Sequence, residues 1–436
     1  MTALLPTVVL ISLDTTRSDA LSCYGVPPGP YQVETQTTPT LDALAANGLR
    51  FDRFFAHAPS TLSSHSTLFT GHDPHGHGVV RNGYPVDPAL PTLAERLSGA
   101  GYDTVAVVGA AALERAMGLD RGFRLYDDDL PTLHGMMYQD SAAGVVQRTL
   151  AAVDARTDTE APLFLFVHFY DPHTPYEPPG DPARYTTAQF RSLTRRARDG
   201  AAAPGEVERA NALYLGEVTY MDAQIGVLLQ GLGERGLLDP ALIVAVADHG
   251  ETLAEDHDYA WSHGSNVAHE IVSIPLVVQG RGLPLAQGAV VRSQAGLDGL
   301  ARTIERAVGL APTLGTGLDF FPLWRAGPVR DADGWPEGPT IPVFAEATRP
   351  RHAEVDGHWN NLQLHRAVWA GGYGAYAAPW LDEPLRFYDR GAAPHPDVLR
   401  VLEGDLRNWD ATVPTHRDEQ MAPSTARALK ALGYVD

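Results

Sequence analysis

The sequence predicts an α/β fold, a mostly parallel central sheet sandwiched by helices and followed by a smaller C-terminal α+β subdomain. Short continuous apolar runs at residues 8–12, 104–108, 163–169, 242–247 and 275–278 read as buried strands. They alternate with segments at 40–46, 93–97, 144–153 and 217–232 whose apolar residues fall at helical spacing. That alternation is the signature of parallel strands covered by helices on both faces. After about residue 310 the pattern changes to Gly/Pro-rich segments with short strands at 342–345 and 367–376 and a last helix at 424–432. With 436 residues, 44% of them hydrophobic and 20% charged, the chain can bury a large core and falls outside the disordered and fibrous classes. We therefore expect a large domain over 1–310 and a smaller subdomain over 311–436.

Taken in order, the elements load chemistry onto one edge of the sheet. The first strand runs straight into Asp14. The strand at 163–169 leads through His168 to Asp171 and His173, and the strand at 242–247 delivers Asp248, His249 and Gly250. In open α/β sheets ligands bind beyond the carboxyl ends of the strands, so three loaded strand ends mark one site. Between the last two, residues 180–204 are polar, Arg-rich and rich in Ala, Gly and Pro, which reads as a surface insertion near that site.

Bulk charge narrows the partners. Fifty-three acidic against 33 basic side chains give a formal net charge of −20, with no Lys/Arg run, which argues against nucleic acid polymers and anionic membranes. An anionic substrate then needs a locally positive site, most simply a bound metal. The single cysteine, Cys23, rules out a disulfide framework or a thiolate zinc cluster and fits an intracellular address. The run at 8–13 is too short for a signal sequence, and no stretch reaches the roughly 20 apolar residues that span a bilayer. The expectation is a cytoplasmic, soluble protein, with homo-oligomerisation left open.

Each candidate residue has a plainer reading. Asp14 at a strand end is a metal ligand or a helix cap. Asp248 and His249 side by side offer an oxygen and a nitrogen ligand before a glycine that permits a tight turn. Thr61 stands where a loop becomes a helix, with Ser63, Ser64 and His65 following. Backbone amides and the positive helix end make that a seat for an anionic group, although Ser/Thr at a helix start usually only caps it.

Together these segments resemble the sulfatase-like branch of the alkaline phosphatase superfamily. Five motifs occur in family order: DTTRSD, STLSSHSTLFTG with HGHGV, HFYDPHTPY, ADHGETLAEDH with WSHGSN, and IPLVVQGRG. The resemblance implies an alkaline phosphatase-like catalytic domain over 1–310. In true sulfatases the nucleophile is a formylglycine made from the Cys of a C-x-P-S-R motif, nine residues before the Thr of a Thr-Gly pair. Nine residues before Thr70 stands Thr61, and Cys23 lies far upstream, so no formylglycine can form. A threonine ester must be released by attack at the transferred centre, which points to phosphoryl chemistry through a phosphothreonine intermediate. The phosphodiesterases, phosphonate monoester hydrolases and phosphoethanolamine transferases of the superfamily resemble this motif.

The resemblance further implies a cation held by Asp14, Thr61, Asp248 and His249. Asn82, 21 residues after Thr61, matches a substrate-binding Asn, although within Arg-Asn-Gly it also reads as a turn residue. His168 and His173 match paired histidines of the transferases, with His168 assigned to substrate. His173 and His263 are the candidates for proton transfer. Asp171, His173 and His263 are the candidates for a second ion. Thr15 replaces the second Asp of the sulfatase motif, which favours zinc or manganese over an all-oxygen calcium site. The expected substrate is a small phosphate ester, with sulfate esters as a compatible side substrate. A phospho-group transferase, a sulfatase lacking formylglycine and an inactive binding protein are the rivals. The intact set Asp14, Thr61, Asp248 and His249 speaks against the last.

Overall fold

The computed structural model describes residues 5–25, 36–133, 137–181, 185–255, 260–326, 341–348, 354–355, 358–359, 364–370, 373–377, 385–388 and 396–412. Its centre is an eight-stranded sheet built from β1 (Thr7–Leu13), β2 (Leu49–Phe51), β3 (Asp103–Val107), β4 (Leu125–Asp127), β5 (Leu163–Phe169), β6 (Ala241–Ala247), β7 (Leu276–Arg281) and β8 (Ala289–Val291). The spatial order is β8-β2-β7-β6-β1-β5-β3-β4. β1 lies between β5 and β6 and pairs with both in parallel, while β7 runs antiparallel to β6 and β2. Every residue of β1, β5 and β6 is buried, which is why these strands read as continuous apolar runs without alternation.

Helices α1 (Pro39–Ala46), α2 (Thr61–Thr70), α3 (Leu93–Gly99), α4 (Ala142–Asp154), α5 (Thr187–Arg198), α6 (Pro204–Glu234) and α7 (Leu300–Ala307) surround the sheet. Two differ from expectation. The stretch at 180–204 contains α5, started by a Thr186/Gln189 capping box, with Phe190, Leu193 and Ala197 buried at helical spacing. The helical pattern seen at 217–232 is only the second half of α6, a 31-residue helix with Pro204 in its first turn. Among the described residues no helix is long and apolar enough to cross a membrane.

A second, four-stranded antiparallel sheet, β9 (Val343–Thr348), β10 (Leu364–Ala370), β11 (Tyr373–Ala377) and β12 (Leu385–Tyr388), follows in that order. The run expected as one strand at 367–376 is thus two strands, β10 and β11, paired antiparallel. Alternate residues serve two faces. Ala367 and Trp369 pack with Phe55, Val267 and Ile271, whereas Val368 and Ala375 pack under Leu402, Leu406 and Trp409 of α8 (Pro396–Asp410). The helix expected at 424–432 lies outside the described residues.

Candidate metal and nucleophile site

Because β1 is flanked by β5 and β6, with Leu13 in register with Phe169 on one side and Ala247 on the other, their carboxyl ends meet. Asp14, His168, Asp248 and His249 are all fully buried there or nearly so. Helix α2 starts at Thr61, directly above this edge, and Thr61 Oγ1 lies 3.4 Å from Asp14 Oδ2. Ser64 Oγ donates to the Asp248 carbonyl at 2.5 Å, tying the first turn of α2 to the end of β6.

Three of the four expected ligands, Asp14, Asp248 and His249, each have one polar atom held by protein and another left open. Asp248 Oδ1 accepts the backbone amides of Thr15 (3.2 Å) and His249 (2.8 Å), while Oδ2 accepts no hydrogen bond. Asp14 Oδ2 faces His168 Nε2 at 3.1 Å, while Oδ1 has no partner. His249 donates from Nδ1 to the Gly250 carbonyl at 2.9 Å, which leaves a lone pair on Nε2, again without a hydrogen-bond partner. That Nε2 lies 3.4 Å from Asp248 Oδ2. An imidazole nitrogen and a carboxylate oxygen this close in a dry interior call for positive charge between them, a proton or a cation, and buried polar groups left open are costly. Ligand atoms of Asp14, Asp248 and His249 all lie within 4.8 Å of one another, so the donor set of two oxygens and one nitrogen fits a divalent transition ion.

The electrostatics agree. Burial pushes the Asp14 carboxyl up to about 7 and raises Asp248 as well, with the neighbouring Asp14 charge adding to it. Burial would lower His249, but Asp248 and Asp14 outweigh it and raise it. An added cation reverses the carboxylate shifts, since it becomes the largest local charge.

His65 and His168 with Asp248 form a second cluster of metal-capable groups, but its ring nitrogens are in use. His65 donates from Nδ1 to the Thr61 carbonyl (2.7 Å) and accepts the Ser12 hydroxyl at Nε2 (2.8 Å). His168 accepts the Gly109 amide at Nδ1 (3.3 Å), so its Nε2 carries the proton toward Asp14. Burial lowers both, His65 to about 3 and His168 to about 4, and both are neutral. His168 therefore orients Asp14 and has no ring nitrogen left for substrate. His65 holds the backbone of Thr61; no family position pointed to it in the sequence.

The trio expected to bind a second ion is not brought together. Asp171 turns toward the backbone of Ala142 and the buried carboxyl of Glu217, and burial raises it to about 7. His173 and His263 do meet, with ring centroids 4.8 Å apart, and His263 lies 4.7 Å from the His249 ring. His173 donates from Nδ1 to the Thr174 carbonyl at 2.8 Å, and a hydrogen bond of 3.2 Å joins His263 Nδ1 to Glu251 Oε1. Burial holds both imidazoles well below the usual histidine range, with His263 adding to the effect at His173 and His249 adding to it at His263.

Asn82 accepts the Leu62 amide at 2.7 Å through Oδ1, and its buried Nδ2 donor makes no hydrogen bond. The Leu62 amide is thereby used up and is not available to an oxyanion. Ser60, just before the helix, makes no cap, and its buried hydroxyl is also without a hydrogen bond. Arg17 braces the edge, donating to Asp19, to Glu255 and to the Glu251 carbonyl. Trp261, Tyr176 and Trp369 are buried packing residues: Phe190 of α5 lies against the first two, and Trp369 stacks on Phe55. A groove of about 450 Å³ beside Tyr102 and Arg124 sits at the opposite, amino-terminal edge of the strands.

Known proteins resemble this chain in sequence and in fold. An arylsulfatase of Clostridium perfringens is 25% identical over 320 residues, which is 58% of this chain and 64% of that protein. A solved structure of a protein bound to its substrate D-glucosamine-2-N,6-O-disulfate superposes with a TM-score of 0.70 at 18% identity, covering 94% of this chain and 98% of the other. The phosphonate monoester hydrolase of Silicibacter pomeroyi superposes with a TM-score of 0.68 at 21% identity, covering 95% and 96%. At these identities the structural matches establish the fold. The sulfatase family model itself matches residues 6–310, which contain every strand of the central sheet and every residue of the open cluster, and the chain therefore belongs to the sulfatase family.

Proposed function

We propose that the protein hydrolyses phosphate esters with a bound divalent cation, Zn²⁺ or Mn²⁺, and the Thr61 hydroxyl as nucleophile. The observation that carries this reading is Thr61 Oγ1 at the start of α2, 3.4 Å from a carboxylate whose other oxygen is open beside two further open ligand atoms. Cys23 offers no alternative, since it is half-buried and burial pushes its thiol up to about 12. Asp14, Asp248 and His249 would hold the ion, which when bound supplies charge that lowers the pKa of the hydroxyl and screens an anionic substrate.

The chain's own residues then divide the work. Thr61 Oγ loses its proton toward the Asp14 carboxylate, its nearest base, and forms a bond to phosphorus as the bond to the leaving oxygen breaks. Asn82 Nδ2 and the Ser60 hydroxyl are the buried donors for the non-bridging oxygens. His173 or His263 protonates the leaving alkoxide. Burial holds both imidazoles low, and an arriving anion raises their pKa so that one can carry the required proton. Water, giving a proton back to that imidazole, next attacks phosphorus and breaks the Thr61 ester, releasing phosphate as Asp14 returns its proton to the Thr61 oxygen.

Membership of the sulfatase family favours sulfate esters as the second reading. Matched aryl phosphate monoesters, diesters, phosphonates and sulfates assayed with Zn²⁺ or Mn²⁺ rank the two. Thr61→Ala should lower kcat by about 10³-fold or more while leaving the melting temperature unchanged. Intact-protein mass spectrometry of the quenched wild-type enzyme should show one added phosphoryl group at Thr61. Full turnover by Thr61→Ala would end the mechanism.

A further inference from the structure

Two residues before His263, Trp261 holds a backbone conformation that bulky side chains avoid, with φ at +47°. Such an outlier persists only where its surroundings over-determine it. Its backbone is fixed on one side. The Trp261 amide donates to the Leu253 carbonyl at 2.6 Å, and Thr252 and Ser262 exchange amide-to-carbonyl hydrogen bonds of 3.1 and 3.2 Å. The Thr252 hydroxyl adds a bond to the Ser262 carbonyl at 2.5 Å. This short antiparallel bridge sets the residue before Thr252 opposite the residue after Ser262, so that Glu251 faces His263, with Oε1 and Nδ1 3.2 Å apart.

The Trp261 side chain is fixed on the other side. It is buried, its indole N–H donates to Asn211 Oδ1 at 2.9 Å, and its ring lies 5.6 Å from that of Phe190. Asn211 is equally buried on α6, and Phe190 belongs to α5. Both helices come from the stretch between β5 and β6. An apolar residue would face a tryptophan there without the desolvation cost of a buried amide. Packing against Phe190 is non-directional, whereas the hydrogen bond to Asn211 fixes where the edge of the indole points.

We propose that Asn211 and Trp261 are positioning residues for His263. Helix α6 grips the indole, the indole holds the strained turn, and the turn seats the imidazole against Glu251 and beside the His173 and His249 rings. The proposal rests on the reading of His263 as the donor of a proton to the leaving oxygen. Neither positioning residue touches the substrate.

The test measures kcat/KM in the full chain, with Zn²⁺ or Mn²⁺, on two aryl phosphates. Dinitrophenyl phosphate has a leaving group that needs no proton, and phenyl phosphate has one that does. His263→Ala should lose about 100-fold or more on the phenyl ester and little on the dinitrophenyl ester. Asn211→Leu, close to asparagine in size but without the acceptor, should lose about 10-fold, again on the phenyl ester alone. Trp261→Phe should do the same. The double variant should lose far less than the product of the two, since replacing both partners leaves no buried polar group open. No loss in Asn211→Leu, a loss equal on the two esters, or singles that multiply in the double variant would overturn the positioning role while His263 keeps its own. Equal behaviour of His263→Ala on both esters would overturn the proton-donor reading and this inference with it, leaving Thr61 as nucleophile. A wild-type chain that cleaves neither ester would overturn the phosphate-ester reading itself, and the positioning role with it.

Discussion

Two clusters of buried charge in this molecule are built on opposite plans. At the carboxyl ends of β1 and β6, Asp14, Asp248 and His249 each keep one open atom in a dry interior. Where the second sheet meets the large domain, Glu346 of β9 is just as buried, but Oε2 accepts from Arg366 at 2.7 Å and from His75 at 3.2 Å. Arg366 also pairs with Asp410, and Trp409 stacks on His75 at 3.7 Å while donating to Asp73 at 2.7 Å. The carboxyl shifts follow the plans. Burial drives Asp14 up to about 7, whereas at Glu346 the His75 and Arg366 contacts outweigh burial and hold it below the usual range. The two equally buried carboxyls shift in opposite directions because at Glu346 the chain's own cations outweigh burial and at Asp14 they do not.

The closed cluster should carry the larger share of stability. Glu346→Ala leaves the Arg366 guanidinium beside an empty partner site, and breaking one side of a buried ion pair costs about 3 kcal/mol. Denaturant unfolding should show that loss, with cation affinity unchanged. An equally stable Glu346→Ala variant would mean that the interface pairing is decoration and would erase the contrast.

The open cluster should respond to metal. With free Zn²⁺ or Mn²⁺ at a hundredfold excess over its Kd, the folded state gains about 2.7 kcal/mol over the chelated protein. Unfolding curves with and without the ion should show this increment in wild type and in Glu346→Ala, and none in Asp248→Asn. Stabilisation of Asp248→Asn to the same extent would place the ion elsewhere.

The contrast also marks what could be read before any coordinates. Asp14 and the Asp248-His249 pair were legible because each follows a run buried on both faces, and such runs end at the same sheet edge. Thr61 was legible from its place at a loop-to-helix transition and, through the family resemblance, from standing nine residues before Thr70. The fate of Asp171 was not, because sequence locates a side chain at a strand end without saying which way it turns, and Asp171 turns to Glu217. Nor was α5, whose Thr186/Gln189 box and Phe190, Leu193 and Ala197 were masked by surrounding arginines. His75 and Glu346 lie 271 residues apart, and no local pattern announces so distant a pair.

The smallest expected effect is the pH dependence of the closed cluster. Folding holds the Glu346 carboxyl below its ordinary value of 4.5, so as pH falls the unfolded chain takes up this proton first. The pairing therefore contributes its full stability above about pH 4.5 and loses it as pH falls through the lower folded value. Burial opposes the pairing, so the net shift is a difference of two larger effects and the slope is shallow. Unfolding midpoints taken in chelator from neutral to acid pH should fall more steeply for wild type than for Glu346→Gln across that window. Parallel curves would show that His75 and Arg366 only offset burial, in which case the closed cluster contributes packing and hydrogen bonds but no net electrostatic stability.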